Sequence, residues 1–399
     1  MFRLPKNVWI LSLSLALFMS LAVFIVFVGG IVGTTLATTK SLATLPVAMI
    51  VVGTASSIVP VVRLMAMFGR RKVFLGVCLL TIALIGLSIY ALIMKSFALF
   101  CVSSFGFGVT TATMNQFRFA AIESVDSTQT PTAAAIVLLG GLISAYLGTE
   151  VATLGKDWFD VEFSGSFLLL ALMFVVAFFL LLMFSPAKKF NAKESYVKRK
   201  LIEIVKQGVF IVAVSSAITG YGVMSFIMTA TPVSMHVMDG FSLEQTKYVI
   251  QSHVVAMFLP SLFTAFIVKY LGISRMMLVG TIILLSAVLV AYIDRSLGNY
   301  WIALILLGLG WNFLFIGGTS LLPRTYNENE KYKVQSLNDF LIFGFQAFAA
   351  LSAGWFVFNF GWKITLLSAT PLLGAQFILI LWWLRRDSQE TQDNNESNG

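Results

Sequence analysis

Apolar residues run almost unbroken along most of this chain, interrupted at intervals by short turns that carry Gly, Pro, Lys or Arg. A helix needs about 20 residues to cross a hydrocarbon layer ~30 Å thick. By that measure the sequence divides into twelve spans: Trp9–Ala37, Leu45–Phe68, Val73–Met94, Phe97–Ala121, Pro131–Val151 and Ser164–Phe184, then Val209–Thr231, Thr246–Tyr270, Met276–Ile293, Tyr300–Leu322, Val334–Phe358 and Ile364–Leu384. Continuous runs with embedded Gly and Pro predict helices, because the strands of a membrane barrel read as alternating segments of about ten residues. Val, Ile and Phe are plentiful, but in lipid a helix satisfies its own backbone and their strand preference counts for little. The first span follows a short basic lead, Arg3 and Lys6, yet is too long for a signal-peptide core and has no small-residue cleavage site. It reads as a retained helix.

The spans fall into two halves that echo each other. Phe68-Gly69-Arg70-Arg71-Lys72 after the second span is matched by Leu271-Gly272-Ile273-Ser274-Arg275 about 203 residues on, and Gly106-Phe107-Gly108 by Gly308-Leu309-Gly310 about 202 residues on. One offset shared by two landmarks predicts a duplicated six-helix unit. The expected organisation is a first bundle over 1–184, a basic linker over 185–206, a second bundle over 207–386 and a disordered polar tail over 387–399.

Composition agrees. With 58% hydrophobic and 11% charged residues among 399, and a mean hydropathy of +0.90, too little polar surface is available to coat a water-soluble globule. The solvent is lipid. The formal charge of +9 is spread over many loops, which excludes a nucleic-acid-binding face. Placing the N-terminus inside puts Arg3, Lys6, Arg70, Arg71, Lys72, Lys188, Lys189, Lys193, Lys198, Arg199, Lys200, Lys206, Lys269, Arg275, Arg324, Lys331, Lys333, Arg385 and Arg386 on the cytoplasmic side. Lys40, Lys95, Lys156, Lys247, Arg295 and Lys363 then lie outside, a bias of about three to one that predicts both termini in the cytoplasm. Cys78 and Cys101 lie on different spans near opposite ends, so neither a disulfide nor a metal site is expected.

Taken together, these features resemble the major facilitator superfamily over nearly the whole chain. The resemblance rests on twelve helices in two six-helix halves, the basic central loop, and the turn Gly69-Arg70-Arg71-Lys72, which is similar to the end of the family's loop Gly-x-x-x-Asp-Arg-x-Gly-Arg-Arg/Lys. Here Val62 stands at the first Gly, Ala66 at the Asp and Met67 at the first Arg, so the usual contact from that Asp to the eleventh helix must be replaced. The resemblance implies an all-α integral membrane protein of the major facilitator fold, acting as a monomeric secondary transporter of a bacterial inner membrane by alternating access. In the family's packing, helices two, four and eleven meet on the cytoplasmic side. Charges within membrane helices are costly and normally face protein or water, so Arg118 with Asp339 beside Asn338, and Glu123 with Arg70 or Arg71, are expected to close that gate. Helices five and eight adjoin across the halves, which makes Glu150 and His253 the expected proton-coupling pair. His236, just beyond Thr231-Pro232, is expected in a solvated outer loop.

The family lines its central cavity with helices one, four, seven and ten. On these helices the sequence offers Asn115, Gln116, Tyr221, Met224, Thr229, Trp311 and Asn312, a set of amides and aromatics suited to a neutral flat ring with several hydrogen-bonding edges. Gln116-Phe117-Arg118-Phe119-Ala120-Ala121, the stretch from Gly310 to Thr319, and Val334-Gln335-Ser336-Leu337-Asn338-Asp339-Phe340 resemble a bacterial branch that includes riboflavin importers. Thr149 stands where the helix-five signature of proton-driven exporters has Pro, so Gly148-Thr149 only weakly suggests export of drugs, siderophores or metabolites. No Gly-x-Ser-x-Gly, His-Glu-x-x-His or phosphate-binding loop is present, which argues against a membrane enzyme or an ATP-driven pump, and no cofactor is implied. The internal repeat argues against a channel. A transporter-like sensor would need a sizeable soluble output domain, which the short linker and tail do not supply.

Overall fold

A computed structural model describes residues 4–126, 129–185, 199–327 and 330–396, and its described residues are almost wholly helical. Twelve long helices are labelled α1–α12 in chain order. The first half comprises α1 (Lys6–Leu36), α2 (Leu45–Phe68), α3 (Arg70–Ile93), α4 (Phe97–Met114, continued by Phe117–Ile122), α5 (Thr130–Leu154) and α6 (Ser164–Leu182). A short helix, Leu201–Val205, leads into the second half: α7 (Gly208–Pro232), α8 (Leu243–Phe258, a 3-10 turn Leu259–Phe263, then Thr264–Leu271), α9 (Ile273–Ile293), α10 (Leu297–Leu321), α11 (331–360) and α12 (362–396). Nine stretches of the described residues are individually long and apolar enough to cross a membrane, and one of them, 333–386, holds both α11 and α12. α5 contributes the shorter apolar stretch Leu139–Leu154, and α8 is divided by its 3-10 turn. Phe266, Phe348 and Ile378 remain about two-thirds exposed, as large apolar side chains facing lipid would.

The halves repeat one pairing scheme. In the first, α1 packs on α5, α2 on α4 and α3 on α6; in the second, α7 packs on α11, α8 on α10 and α9 on α12. Gly69 and Gly272 make equivalent turns, with φ of 84° and 74°, a region that costs an L side chain and not glycine. The second landmark is not a residue-for-residue repeat. A Cβ on Gly108 would meet α2 at Gly53 C (2.2 Å) and one on Gly106 would meet Leu84 of α3, whereas Gly308 faces α8 at the His253 carbonyl (2.6 Å) and Gly310 faces Leu284 of α9. Each motif therefore sets one glycine against each neighbouring helix, in reversed order.

Five departures from the sequence spans have local causes. α4 breaks at Asn115-Gln116, which bridge its two helical pieces. α8 tightens to a 3-10 turn around Pro260, which has no N–H to continue the ladder. α7 runs on through a π-type turn, Val233–Met238, so His236 is half-buried with Nδ1 2.7 Å from the Phe241 carbonyl oxygen instead of free in a loop. α11 and α12 meet at Gly361, at φ 77° and ψ 173°. α12 continues as a helix to Glu396, where polar composition predicts a disordered tail from residue 387; no Pro or Gly interrupts this stretch, and propagating a helix costs far less than nucleating one. The linker lysines Lys188, Lys189, Lys193 and Lys198 lie outside the described residues.

By helix parity, the start of α1 and the end of α12 share one face, the terminal face, opposite a distal face. On the distal side the halves are in contact: a Cβ on Gly30 of α1 would lie 2.8 Å from Val233, and one on Gly354 of α11 would lie 2.1 Å from Thr44 Oγ1. The polar contacts that bridge the halves concentrate at the distal ends of α5 and α8.

Candidate functional site

A cavity of about 280 Å³ lies between the halves, walled by α1, α2, α4 and α5 on one side and by α7, α8, α10 and α11 on the other. Its wall is mainly apolar, with an aromatic group on the second half. Trp311 stacks on Phe315 (5.2 Å between ring centroids), and Tyr221 stands edge-on to Trp311 (5.1 Å), Phe315 (5.0 Å) and Phe343 (5.7 Å). The break in α4 brings Asn115, Gln116, Arg118 and Phe119 to the same cavity from the first half. Tyr221, Met224, Thr229 and Trp311 also line it.

Asn312 does not. It is 2% exposed, and its Nδ2 donates to the Met257 carbonyl and to Ser261 Oγ, both at 2.7 Å. One residue beyond Trp311, it is rotated by about 100° around α10 and faces α8. There it serves the carbonyl three residues before Pro260, which cannot donate to it. Residues missed from the sequence include Ile342, Phe343 and Gln346, although their three- and four-residue spacing from Asp339 places them on its face of α11.

Among the expected gate residues, Arg118 and Asp339 line the cavity from opposite halves but form no ion pair within 4.0 Å. Arg118 lies over the Phe119 ring at 4.7 Å, with a buried Nε that has no partner. Asp339 accepts from Asn338 Nδ2 at 3.1 Å. Arg70 binds Glu123 through two parallel bonds, Nε to Oε2 at 2.9 Å and Nη2 to Oε1 at 2.6 Å, and Arg71 donates to the Leu182 carbonyl. Arg70, Arg71, Glu123 and Leu182 all belong to the first half, because the start of α3 lies beside the ends of α4 and α6. The Arg70, Arg71 and Glu123 contacts therefore brace one bundle and do not join two.

Glu150 and His253 are not brought together. Glu150 accepts from Lys247 Nζ at 3.2 Å and from Gln251 Nε2 at 3.2 Å, while Gln251 also donates to Thr149 Oγ1 at 2.8 Å. His253, two residues beyond Gln251, turns instead to α10 and the cavity: it is fully buried, Nδ1 is 2.8 Å from the Leu304 carbonyl oxygen, and Nε2 has no partner. A second distal cluster, unforeseen from the sequence, joins Arg295 to Asp239 (2.7 Å) and Tyr300 Oη to the same carboxylate (2.9 Å). No group of three or more His, Cys, Asp or Glu suited to a metal occurs among the described residues.

The family model for the Major Facilitator Superfamily matches residues 10–250 and again 234–399. The chain belongs to the major facilitator superfamily. This facilitator is 30% identical over 383 residues to Riboflavin transporter RfnT of Brucella anthropi, covering 95% of this chain and 96% of that one. It is also 30% identical over 380 residues to Uncharacterized MFS-type transporter YddS of Bacillus subtilis, covering 90% and 86%. The solved structure of the human organic anion transporter MFSD10 overlays with a TM-score of 0.66 at 12% identity, covering 95% of this chain and all of that one, a likeness of fold alone. The facilitator is thus a multi-pass membrane protein and a secondary transporter of a small molecule, with the twelve-helix fold expected from its sequence.

Proposed function

We propose that this facilitator imports riboflavin, or a flat ring compound with similar hydrogen-bonding edges, across the bacterial inner membrane as a proton-driven monomer with both termini in the cytoplasm. The observation that carries the reading is the Tyr221-Trp311-Phe315 group facing Asn115 and Gln116 across one mainly apolar cavity. A flat ring gains from edge and face contacts with such a group, and free amides supply both donors and acceptors to its rim. The likeness to a named riboflavin transporter over nearly the full length of both chains supports the same reading.

With the distal side closed by the α5–α8 contacts and Arg118 apart from Asp339, the conformation corresponds to a cavity facing the cytoplasm. Pairing of Arg118 with Asp339 would then close the cytoplasmic gate. Asp339 is the carboxylate of the cavity wall, whereas Glu150 is committed to Lys247 and Gln251. The proton is therefore assigned to Asp339. Uptake of labelled riboflavin into proteoliposomes, with and without an inward-directed proton gradient, tests both parts. Gradient-dependent accumulation that is lost in Asp339→Asn, with facilitated exchange kept, is the expected result. Absence of riboflavin uptake overturns the substrate, and undiminished accumulation by Asp339→Asn overturns the coupling site.

A further inference from the structure

Eight buried side-chain nitrogen or oxygen atoms among the described residues have no hydrogen-bond partner, and three of them, Arg118 Nε, His253 Nε2 and Trp311 Nε1, belong to residues of the central cavity wall. Native proteins leave few such atoms unpaired. All three side chains belong to the wall of one cavity, and their unpaired atoms, closed to water in this conformation, would be satisfied by a solute around which the wall closes. Two of the three are donors in every accessible state, the guanidinium Nε–H and the indole Nε1–H. His253 is different. The Leu304 carbonyl oxygen at 2.8 Å can only accept, so Nδ1 carries the hydrogen. No carboxylate is bonded to the ring, and a buried imidazolium without a counter-charge would be costly. In the neutral ring that remains, Nε2 holds a lone pair.

We infer that His253 is a substrate-reading residue: its Nε2 accepts a hydrogen bond from an N–H or O–H of the bound solute, while Trp311 Nε1–H and Arg118 Nε–H donate to acceptors on the same molecule. The backbone prepares this arrangement. Gly308, one turn after Leu304, has no side chain where a Cβ would come within 2.6 Å of the His253 carbonyl oxygen. α8 therefore approaches α10 closely enough for the ring to reach Leu304. The tautomer is set by α10 before any solute arrives, and a solute offering only acceptors at this point would meet a lone pair with a lone pair.

The inference rests on the riboflavin reading only for the choice of probes, and its first test needs no solute. The chain has two histidines, so ¹⁵N spectra of the histidine-labelled full-length protein, with His236→Gln for assignment, report the state of His253 directly. An Nδ1–H ring with unprotonated Nε2 is expected. An Nε2–H tautomer or an imidazolium overturns the inference whatever the substrate is. The second test compares binding of riboflavin, 3-methylriboflavin and lumiflavin to wild type, His253→Asn and His253→Gln. Asn places an amide donor near the Nδ1 position and so keeps the bond to Leu304, but offers nothing at Nε2; Gln reaches the Nε2 position with an amide oxygen. His253→Asn should weaken riboflavin about tenfold or more and abolish the wild-type discrimination against one analogue, while His253→Gln should retain that discrimination. Discrimination against 3-methylriboflavin assigns the donor to the ring N–H, and against lumiflavin to the ribityl hydroxyls. Unchanged ratios among the three ligands in His253→Asn overturn the inference. Absence of flavin binding by wild type instead overturns the riboflavin reading, and the tautomer then decides the role of His253.

Discussion

Adjacent or nearly adjacent residues on one helix take different roles here, and the rotation of about 100° per residue is the reason. Trp311 faces the cavity and Asn312 faces α8; Gln251 joins the distal contacts with α5 and His253 turns to Leu304 and the cavity. Residue type in the sequence singled out Trp311, Asn312 and His253, but not Gln251, and not which neighbour each would meet. Glu330 is a further case. Its carboxylate, 3% exposed, accepts from the backbone N–H of Arg199, from Arg199 Nε at 2.9 Å and Nη2 at 2.5 Å, and from the Asn327 N–H at 3.0 Å, tying the exit of the linker to the loop before α11. Hydrogen bonds from Arg199 and then from the Asn327 backbone hold its pKa down from 4.5 to about 2. A folded-state pKa below the unfolded value means that this contact stabilises fully above about pH 4.5 and is lost as pH falls towards 2. Thermal unfolding between those pH values should fall more steeply for wild type than for Glu330→Gln. Parallel curves would show that the contact contributes nothing.

At the scale of elements, the breaks in the helices place more chemistry than their regular parts. The interruption of α4 at Asn115-Gln116 carries the polar face of the first half, and Asn312 donates to the Met257 carbonyl just before the 3-10 turn at Pro260. Asn312→Leu should lower stability by about 1–3 kcal/mol, read as a reduced melting temperature, because it removes the buried bonds to the Met257 carbonyl and the Ser261 hydroxyl. The KM for the transported solute should stay near wild type, since Asn312 does not line the cavity; a selective rise in KM without loss of stability would contradict this placement. Helix positions and types were legible from apolar run length, since a lipid-exposed backbone has no alternative to the helix. The breaks were not, because Asn115 and Gln116 are compatible with a helix, and the effect of Pro260 depends on what α10 offers across the gap.

For the whole molecule, the halves are joined distally and apart at Arg118 and Asp339. Rocking about the central cavity would exchange these arrangements: closing the terminal face brings Arg118 to Asp339 and separates Lys247 and Gln251 from Glu150. A cysteine pair at 118 and 339 should cross-link in the distal-open state and not in the conformation described, whereas a pair at 150 and 247 should show the opposite pattern. Cross-linking of both pairs irrespective of solute or gradient would rule out this exchange.

Solvent, number of crossings and duplicated halves were legible in the chain alone, because apolar run length is a local property that lipid constrains strongly, whereas the aromatic and amide residues of the cavity were reached through the helices that the family resemblance implies. Helix packing is what sets Arg70 against Glu123 within one half, gives Glu150 the partners Lys247 and Gln251 instead of His253, leaves Arg118 and Asp339 without an ion pair in the same cavity, and lets α10 fix the free nitrogen of His253. Each of these depends on how helices distant in sequence are rotated and set against one another, and that is fixed by close approaches such as Gly53 to Gly108 and Gly308 to His253, which neither half of a contact specifies alone.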